Sequence, residues 1–341
     1  MIHLGISLGT SQVIIASAEE GILLQQPSVI AVNRKNRAVA CGRDAYDMLG
    51  REPGSIRVVR PIRGGIVTEF DLAAKMLRRY IRQVCSYRLF KPQAAVAVPS
   101  RLTEVEQRSI AQAAQDVNLR GVTLVHKALA AAVGAGLYVT SPRGCLMVDI
   151  GAGTADAAVL SMQGVVAGES RRTGGDAMDE GIIRYMRGKY NLIIGSLTAE
   201  QIKKQIGTAL PRPQDVTMQV PGRDAQTGLP VRQTVSGNEL VDTVGEVLQQ
   251  IAGVILHVLE ITPPELAADI CAGGVCFSGG QSQLPGLVEY FERLLGVPCR
   301  LAPHPEQCTA IGVAVLLAGN KPHSGQGTVT PSPFAQKYKV E

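Results

Sequence analysis

Tryptophan is absent from this 341-residue chain, and aromatic residues make up only 4% of it. Proteins that bind single-stranded nucleic acid stack bases on aromatic rings, so this composition argues against such a surface. The formal net charge of +5 is mild for a chain of this length and adds no argument for nucleic acid. We therefore expect no nucleic-acid partner.

Long apolar runs are also missing. The longest weakly polar run, Ala128 to Val139, is too short to cross a bilayer, and no charged-then-apolar leader precedes the first predicted strand. The seven cysteines are odd in number and contain no CxxC pair, which is typical of reduced thiols inside a cytosolic protein. These absences predict a cytoplasmic protein that is not secreted.

A duplicated unit is the most informative pattern that is present. Apolar periodicity predicts strands at residues His3–Ser7, Gln12–Ser17 and Gly21–Val32, with a glycine turn after the first strand. The same order recurs at Cys145–Ile150 and Ala157–Ser161, again around a glycine turn. We therefore expect an α/β fold with two similar lobes, and the length fits two domains.

Local signals add helices and loops to this outline. Capping boxes at Thr103–Glu106, Thr198–Gln201 and Thr262–Glu265 predict three helix starts, the last with proline at the first helical position. The polar, Pro/Gly-rich stretch Pro211–Asn238 predicts a hairpin or a long loop. From Lys321 onward the chain lacks apolar periodicity, which predicts a flexible tail.

Glycine turns that follow strands expose backbone N–H groups and let a ligand approach closely. Three such turns are present: Gly9-Thr10-Ser11, Gly151-Ala152-Gly153-Thr154 and Gly279-Gly280. The first two could clamp a polyphosphate between the lobes, with Asp149 available to hold a hydrated Mg²⁺. One such turn alone is usually an ordinary sharp connection, but three in a duplicated chain favour a phosphate site.

Longer motifs lie along most of the chain, at residues 8–10 (LGT), 60–62 (RPI), 98–100 (VPS), 102–106 (LTEVE), 129–132 (LAAA), 149–154 (DIGAGT), 175–180 (GDAMDE), 189–192 (KYNL) and 262–266 (TPPEL). In these motifs the chain resembles the MreB-type bacterial actins, within the actin–sugar kinase–heat-shock chaperone superfamily. The resemblance implies an actin-like ATPase fold, with lobe I at residues 1–142 and 303–320, lobe II at residues 143–302 and a tail at residues 321–341.

The resemblance also implies ATP in the cleft between the lobes. By position, it assigns the phosphates to Gly9, Thr10 and Ser11 and to Asp149, Gly151, Ala152, Gly153 and Thr154. It assigns the ribose and adenine to Glu200 and Lys203, and the adenine also to Gly279, Gly280 and Gln281. Without the resemblance, Glu200 and Lys203 would be interpreted as a solvated i,i+3 ion pair.

Three differences from the family lie at its metal-binding position, its catalytic position and its second phosphate turn. Ser7 stands where the family has an acid that helps to organise the metal, so Asp149 alone remains of that pair. Lys127 stands at the position of the water-activating glutamate, and His126 before it replaces another acid. An ammonium group cannot orient or deprotonate attacking water as a carboxylate does. Ala155 replaces a hydroxyl residue just after the second phosphate turn.

Two main outcomes are open for Lys127. It could contact the γ-phosphate and partly replace the metal, which would give tight ATP binding with little or no hydrolysis. Alternatively, it could pair with Asp149 as a structural strut in a site that binds no nucleotide. Ordinary ATPase activity from an unrecognised residue is a third outcome. We favour ATP binding with weak or absent hydrolysis, and the need for Mg²⁺ stays open.

A cationic helix face precedes an apolar pair. A helix is predicted at residues 71–86, and its cations and the residues that follow are Lys75, Arg78, Arg79, Arg82, Arg88, Leu89, Phe90 and Lys91. Cations beside Leu89 and Phe90 suit an anionic membrane surface, although a solvated face with a buried pair has the same pattern. The resemblance favours the membrane, because MreB-type proteins use a hydrophobic loop here, and repetition along a filament strengthens a weak anchor.

Taken together, these features predict a bacterial cytoskeletal protein of the MreB type at the inner membrane. It would self-associate as paired protofilaments and position the cell-wall synthesis machinery, and hence determine cell shape. The alternative is a nucleotide-independent regulatory or scaffolding paralogue that co-assembles with an active MreB. A sugar kinase is least favoured, because no motif places a catalytic carboxylate between the lobes.

Overall fold

The computed structural model describes residues 3–85, 92–99, 103–115, 119, 121–319 and 336–337. The elements up to residue 134 are β1 (His3–Leu8), β2 (Gln12–Ser17), β3 (Gly21–Pro27), β4 (Ile30–Asn33), β5 (Ala38–Cys41), α1 (Arg43–Tyr46), β6 (Ile56–Val59), β7 (Ile62–Arg63), β8 (Ile66–Val67), α2 (Phe70–Cys85), β9 (Gln93–Val98), α3 (Glu104–Gln115), β10 (Gly121–His126) and α4 (Lys127–Gly134).

The elements after residue 144 are β11 (Cys145–Ile150), β12 (Ala155–Ser161), β13 (Gly164–Arg171), α5 (Gly175–Tyr190), β14 (Leu192–Ile193), α6 (Ser196–Ile206), β15 (Thr217–Asp224), β16 (Pro230–Ser236), α7 (Val241–Glu260), α8 (Pro264–Gly273), β17 (Val275–Ser278), α9 (Leu287–Leu295), β18 (Cys299–Leu301), α10 (Cys308–Ala318) and β19 (Gln336–Lys337). Short 3₁₀ turns cover Asn238–Leu240 and Gly280–Gln283.

Two large sheets organise the fold. The strand order is β19-β10-β9-β1-β2-β3 in one sheet and β13-β12-β11-β17-β18 in the other. Each sheet contains an antiparallel hairpin, β1–β2 or β11–β12, whose first strand also pairs with a parallel neighbour, β9 or β17. The α/β fold with two similar sheet-rich lobes is thereby confirmed. The boundaries predicted near residues 142 and 302 stay predictions.

Helices α4 and α10 pack closely against each other. Helix α10 is apolar on nearly all sides, which is the pattern of a helix buried on every face. Its Gly312 lies so close to α4 that a Cβ there would stand 1.7 Å from the Ala130 carbonyl oxygen. Gly134 has the same relation to the Cys308 carbonyl oxygen, at 1.9 Å. The two backbones are therefore in direct contact, and this contact holds Lys127, the first residue of α4, in place.

The predicted strand Gly21–Val32 is wrong as a single element. Its first part is β3, which pairs with β2, whereas its last part is β4, which pairs with β5 and β6 in another sheet. The chain turns after Pro27, where the Ser28 N–H bonds the Ser11 carbonyl at 2.8 Å and the Val29 N–H bonds the Pro27 carbonyl at 2.9 Å. Proline has no N–H for a continuing ladder, which explains the break.

One of the three predicted capping boxes is confirmed. The Thr103 N–H donates to the Glu106 carboxylate at 2.9 Å, and the Glu106 N–H donates to the Thr103 hydroxyl at 3.3 Å. The box at Thr198 is wrong, because α6 already begins at Ser196. The box at Thr262 is also wrong: its hydroxyl donates to the Val258 carbonyl of the preceding helix at 2.6 Å.

Other sequence predictions have clear outcomes. Pro264 stands at the start of α8, the hairpin predicted within residues 211–238 is β15–β16, and all seven cysteines are free.

Helix α2 exposes Lys75, Arg78, Arg79 and Arg82, whereas Leu89 and Phe90 lie outside the described residues. Of the predicted tail, the structure describes Gln336–Lys337, which pairs with β10. Within the described ranges no helix combines the length and apolar character that crossing a bilayer requires.

Candidate functional site

A cleft of about 400 Å³ opens where β1, β11 and β17 end. Every residue that the sequence assigned to the nucleotide lines it, together with Ser7 and Lys127. The structure therefore brings the three glycine turns to one place, although Gly9 and Gly151 are 142 residues apart in the chain and Gly151 and Gly279 are 128 residues apart. Their assignment to phosphate, ribose and adenine stays a prediction.

The first two glycine turns are built alike. The Gly9 N–H bonds the Gln12 carbonyl at 3.0 Å, and the Gly151 N–H bonds the Thr154 carbonyl at 2.8 Å. The turns also approach each other, since a Cβ on Gly153 would stand 2.4 Å from the Thr10 hydroxyl. Glycine is required at this point because any side chain would collide with the opposite turn.

The third turn, after β17, also depends on glycine. Gly279 has a φ of +86°, and a Cβ there would stand 2.3 Å from the Ile150 carbonyl oxygen. This close approach joins the third turn to the end of β11, beside the second turn. The backbone conformation is one that residues with a side chain rarely adopt.

Lys127 lines the cleft and contacts three polar groups. Its Nζ is 2.7 Å from Asp149 Oδ1 and 3.1 Å from Asp156 Oδ2, and it donates to the Thr154 hydroxyl at 3.0 Å. Both carboxylates are almost fully buried, while 16% of the lysine side chain is exposed. A cation at a helix N-terminus opposes the helix dipole, so these carboxylates are what stabilises Lys127 there.

The charge state of this cluster follows from its surroundings. Burial lowers the pKa of the Lys127 ammonium, but the Asp149 and Asp156 carboxylates raise it by more, so the pKa lies above its usual value. Lys127 is therefore protonated at neutral pH. Burial lowers the pKa of His126, against the opposing effect of Asp156, so His126 is neutral at pH 7. Two carboxylates and one ammonium leave the cluster with one net negative charge.

Asp149 is held on its other side as well. Its Oδ2 accepts hydrogen bonds from the Ser278 hydroxyl at 2.8 Å and the Thr309 hydroxyl at 3.1 Å. Asp156, which sequence reasoning missed, stands directly opposite Asp149 in the β11–β12 ladder. Counting outward from the turn would have found it, because residues equally distant from a hairpin turn are cross-strand neighbours.

These residues do not fit a divalent metal ion at Asp149. Mg²⁺ requires an octahedron of oxygens at about 2.0–2.1 Å, whereas here an ammonium group occupies one side of the carboxylate. The neutral Ser7 stands at the position where the resemblance implies a second acid for the metal. In the described part of the chain, no group of three His, Cys, Asp or Glu residues could hold a metal ion.

Glu200 and Lys203 of α6 are both buried and do not pair with each other. Lys203 Nζ is 2.8 Å from Asp179 Oδ1 and donates to the Gly175 carbonyl at 2.7 Å. Glu200 instead accepts from the Tyr46 phenol at 2.9 Å and pairs with Lys204 at 2.6 Å. The interpretation as a solvated ion pair is therefore wrong, because α6 turns both side chains inward.

Polar contacts also connect the two sides of the cleft. Arg60 lies 3.8 Å from both Asp176 and Glu200, next to the Tyr46–Glu200 hydrogen bond. Burial and the Glu200 carboxylate raise the pKa of the Tyr46 phenol to about 12, so it stays a donor at physiological pH. Sequence reasoning could not find this contact, because it joins residues 154 positions apart.

Comparison with known proteins gives a consistent answer over nearly the whole chain. The profile of the MreB/Mbl protein family matches residues 1–324. The cell shape-determining protein MreB of Escherichia coli K12 is 40% identical over 330 residues, which cover 94% of this chain and 95% of the relative. The cell shape-determining protein Mbl of Bacillus subtilis is 38% identical over 316 residues, covering 92% and 95%.

Solved structures agree with the sequence relatives. MreB5 of Spiroplasma citri bound to ADP superimposes with a TM-score of 0.88 at 31% identity, covering 93% of this chain and 96% of that one. A second MreB5 structure is bound to AMPPNP and has a TM-score of 0.86. A MamK double helical filament, at 20% identity and a TM-score of 0.77, supports the actin-like fold alone. The resemblance found in the sequence motifs is confirmed.

Proposed function

Because this chain belongs to the MreB/Mbl family, we propose that it is a cytoskeletal protein that forms actin-like filaments and determines cell shape. The observation that carries the proposal is the match to cell shape-determining relatives over more than nine-tenths of both chains. The shared fold with a filament-forming neighbour is consistent with self-association. Filaments would run as paired protofilaments in the cytoplasm, at the inner membrane.

We further propose that the cleft binds ATP but hydrolyses it slowly or not at all. Support for binding comes from MreB5, a structural neighbour seen with ADP and with AMPPNP. In this assignment the first two glycine turns hold the phosphates, Glu200 and Lys203 hold the ribose and adenine, and residues 279–281 complete the adenine site.

Lys127 disfavours rapid hydrolysis of ATP. Hydrolysis needs a group that orients or deprotonates the attacking water, and an ammonium cannot do so. The nearby Asp149 and Asp156 carboxylates are no substitute, because both are buried and ion-paired with Lys127. No step of phosphoryl transfer is therefore assigned to these residues.

The nucleotide assignment is tested on the protein as purified. Heat denaturation should release ATP or ADP, and Mg-ATP added to fresh protein should yield little phosphate compared with an active MreB assayed in parallel. A Lys203→Ala variant should lose bound nucleotide. Gln201→Ala, on the exposed face of the same helix, is the matched control. Phosphate release at the rate of the active relative would contradict the proposal.

Filament formation has a separate test. Sedimentation and electron microscopy with and without ATP should show polymers of the chain alone. The second candidate function is a nucleotide-independent scaffold that co-assembles with an active MreB. One observation favours it: Lys127 is ion-paired with both Asp149 and Asp156 without a ligand. Polymers that form only with an active relative present would support this candidate instead.

Membrane association is proposed through α2 and the segment that follows it. The four exposed cations of α2 would face anionic lipid, each contributing about 1 kcal/mol near the surface. Liposome co-sedimentation should weaken when Leu89 and Phe90 are replaced by serine. The matched control is Leu229→Ser, which removes an exposed leucine from the β15–β16 connection. Unchanged binding in the double variant would remove this anchor, and with it the proposed link to cell-wall synthesis at the membrane.

A further inference from the structure

The ion cluster around Lys127 contains an unusual charge arrangement. Asp149 and Asp156 are directly opposite each other in the β11–β12 ladder, and like charges in that relation repel. Both side chains are almost fully buried, so solvent does not screen the repulsion. A single ammonium, that of Lys127, lies within 3.1 Å of an oxygen of each carboxylate. The Lys127 ammonium therefore stabilises the two buried carboxylates against their mutual repulsion.

The position of this ammonium is the one that a metal ion would need. A divalent cation bound to Asp149 Oδ1 would lie close to Lys127 Nζ, and two cations at that distance repel in a buried site. Asp149 Oδ2 is already occupied by two hydroxyl donors. Displacing the Lys127 ammonium is costly, because it would break the ion pairs with both Asp149 and Asp156.

Lys127 can nevertheless act on a ligand. Its Nζ lies 3.5 Å from the point where a Cβ on Gly151 would stand, so its charge faces the second glycine turn. Of its three partners, the neutral Thr154 hydroxyl also donates to Asp156 at 3.0 Å. A phosphate oxygen can therefore replace Thr154 as the third partner of Lys127 without breaking either ion pair.

We infer that the Lys127 ammonium is a built-in counter-ion that takes the place of a divalent cation, so that the cleft binds adenine nucleotide as the metal-free polyphosphate. This inference rests on the proposed nucleotide binding and specifies the ionic form of the ligand. Backbone N–H groups of the two glycine turns supply the remaining positive potential. Excess Mg²⁺ then competes for the nucleotide in solution and does not assist its binding.

Removal of the Lys127 ammonium should also have an effect that does not depend on nucleotide. Without the ammonium, Asp149 and Asp156 would face each other beside the hydroxyls of Ser278, Thr309 and Thr154. Asp156 Oδ1, buried and without a hydrogen-bond partner among the described residues, would be a further acceptor. Hard divalent cations prefer such oxygen sets. Removing the ammonium should therefore create a metal site that the natural chain lacks.

The first experiment titrates nucleotide-free protein with Mn²⁺, followed by electron paramagnetic resonance. The natural chain should show no tight site, whereas Lys127→Met should bind one ion, and the triple variant with Asp149→Asn and Asp156→Asn should lose it. Lys127→Gln repeats the test in case the methionine variant does not fold, as judged by circular dichroism. Mn²⁺ binding by the natural chain that Asp149→Asn abolishes would overturn the inference.

The second experiment measures the affinity for a fluorescent ATP analogue in EDTA and in Mg²⁺. The natural chain should bind at least as tightly in EDTA, whereas Lys127→Gln should bind about tenfold more tightly in Mg²⁺ than in EDTA. A natural chain that requires Mg²⁺ by tenfold or more would overturn the inference. Absence of binding in both buffers would refute the proposed function and the ionic form of its ligand together. The Mn²⁺ titration still decides whether Lys127 excludes a metal.

Discussion

The two strand–turn–strand units of this molecule share one backbone design and differ in their chemistry. In both, the glycine that follows the first strand donates its N–H to the carbonyl three residues later, at 3.0 Å for Gly9 and 2.8 Å for Gly151. In both, the first strand also has a parallel neighbour in its sheet. Equivalent positions differ by 142 residues, so Ser7 and Ile14 correspond to Asp149 and Asp156.

The difference between the units is one of charge. Ser7 opposes Ile14 in the first hairpin, and neither is ionisable, whereas Asp149 opposes Asp156 in the second. The acid pair is therefore restricted to one side of the cleft, where a single lysine, Lys127, pairs with both carboxylates. The two hairpins share one backbone architecture, but an acid pair held by a lysine is present in the second hairpin and not in the first.

The largest expected effect comes from removing that lysine. Lys127→Met leaves two buried carboxylates without their cation, and breaking a buried pair in this way costs about 3–5 kcal/mol of unfolding free energy. The corresponding change in the first unit, Ser7→Ala, should cost less than about 1 kcal/mol. Urea denaturation in EDTA measures both values. Equal effects in the two variants would show that the charge difference between the units has no energetic consequence.

A smaller effect should distinguish the two equivalent glycines. A Cβ on Gly9 would stand 2.7 Å from the Gln12 carbonyl oxygen, inside its own turn. A Cβ on Gly151 would have its nearest neighbours at 3.5 Å, which is ordinary contact. Gly9→Ala should therefore destabilise by about 1–3 kcal/mol and Gly151→Ala by less than about 1 kcal/mol, as measured by thermal unfolding. The reverse order would contradict the geometry given for these turns.

Sequence reasoning succeeded where the determinants are local. The glycine turns and the strands beside them follow from short patterns, and the repeat of those patterns at a constant offset is enough to indicate two lobes. Even Asp156 was within reach, because it and Asp149 lie at equal distances from their turn. The prediction of one strand over Gly21–Val32 was wrong because it also relied on local pattern. The apolar pattern continues through Pro27, whereas the ladder of backbone hydrogen bonds does not.

The remaining site residues could not be predicted, because tertiary packing brings them together. Ser278 and Thr309 reach Asp149 from 129 and 160 residues away, and no periodicity indicates that contact. Glu200 and Lys203 have the spacing of an exposed ion pair, yet packing of α6 buries both and gives each another partner. Long-range contacts of this kind depend on the whole fold.

Two tyrosine–carboxylate hydrogen bonds differ in their position: one crosses the cleft, and the other lies on one side of it. Tyr46→Phe removes a phenol–carboxylate hydrogen bond across the cleft, and Tyr190→Phe removes one of the same type, to Glu239 at 2.7 Å, within the second lobe. Each should cost about 1 kcal/mol. Hydrogen exchange should increase at the cleft-lining strands in Tyr46→Phe alone. Identical exchange maps for the two variants would mean that the Tyr46 contact does not hold the cleft closed.

The smallest expected effect is a pH dependence of nucleotide binding that arises from Asp179. Burial raises the pKa of Asp179 to about 6, with Glu200 and Asp176 acting in the same direction and Lys203 opposing them. Above that pH the ionised carboxylate pairs with Lys203 and repels a polyphosphate. Below it, the carboxyl is neutral and the Lys203 ammonium is released toward the ligand.

Affinity for the nucleotide should therefore rise as the pH falls from 7 to 5, by roughly twofold to threefold, because a partly screened charge–charge interaction is worth about 0.5 kcal/mol. The nucleotide itself titrates in this range, so the measurement is the difference between the natural chain and Asp179→Asn. The natural chain should bind more weakly than the variant at pH 7, and the two should converge at pH 5. A constant difference across the range would show that Asp179 does not titrate between pH 5 and 7, and equal affinities at every pH would show that the Asp179–Lys203 pair has no part in the electrostatics of the cleft.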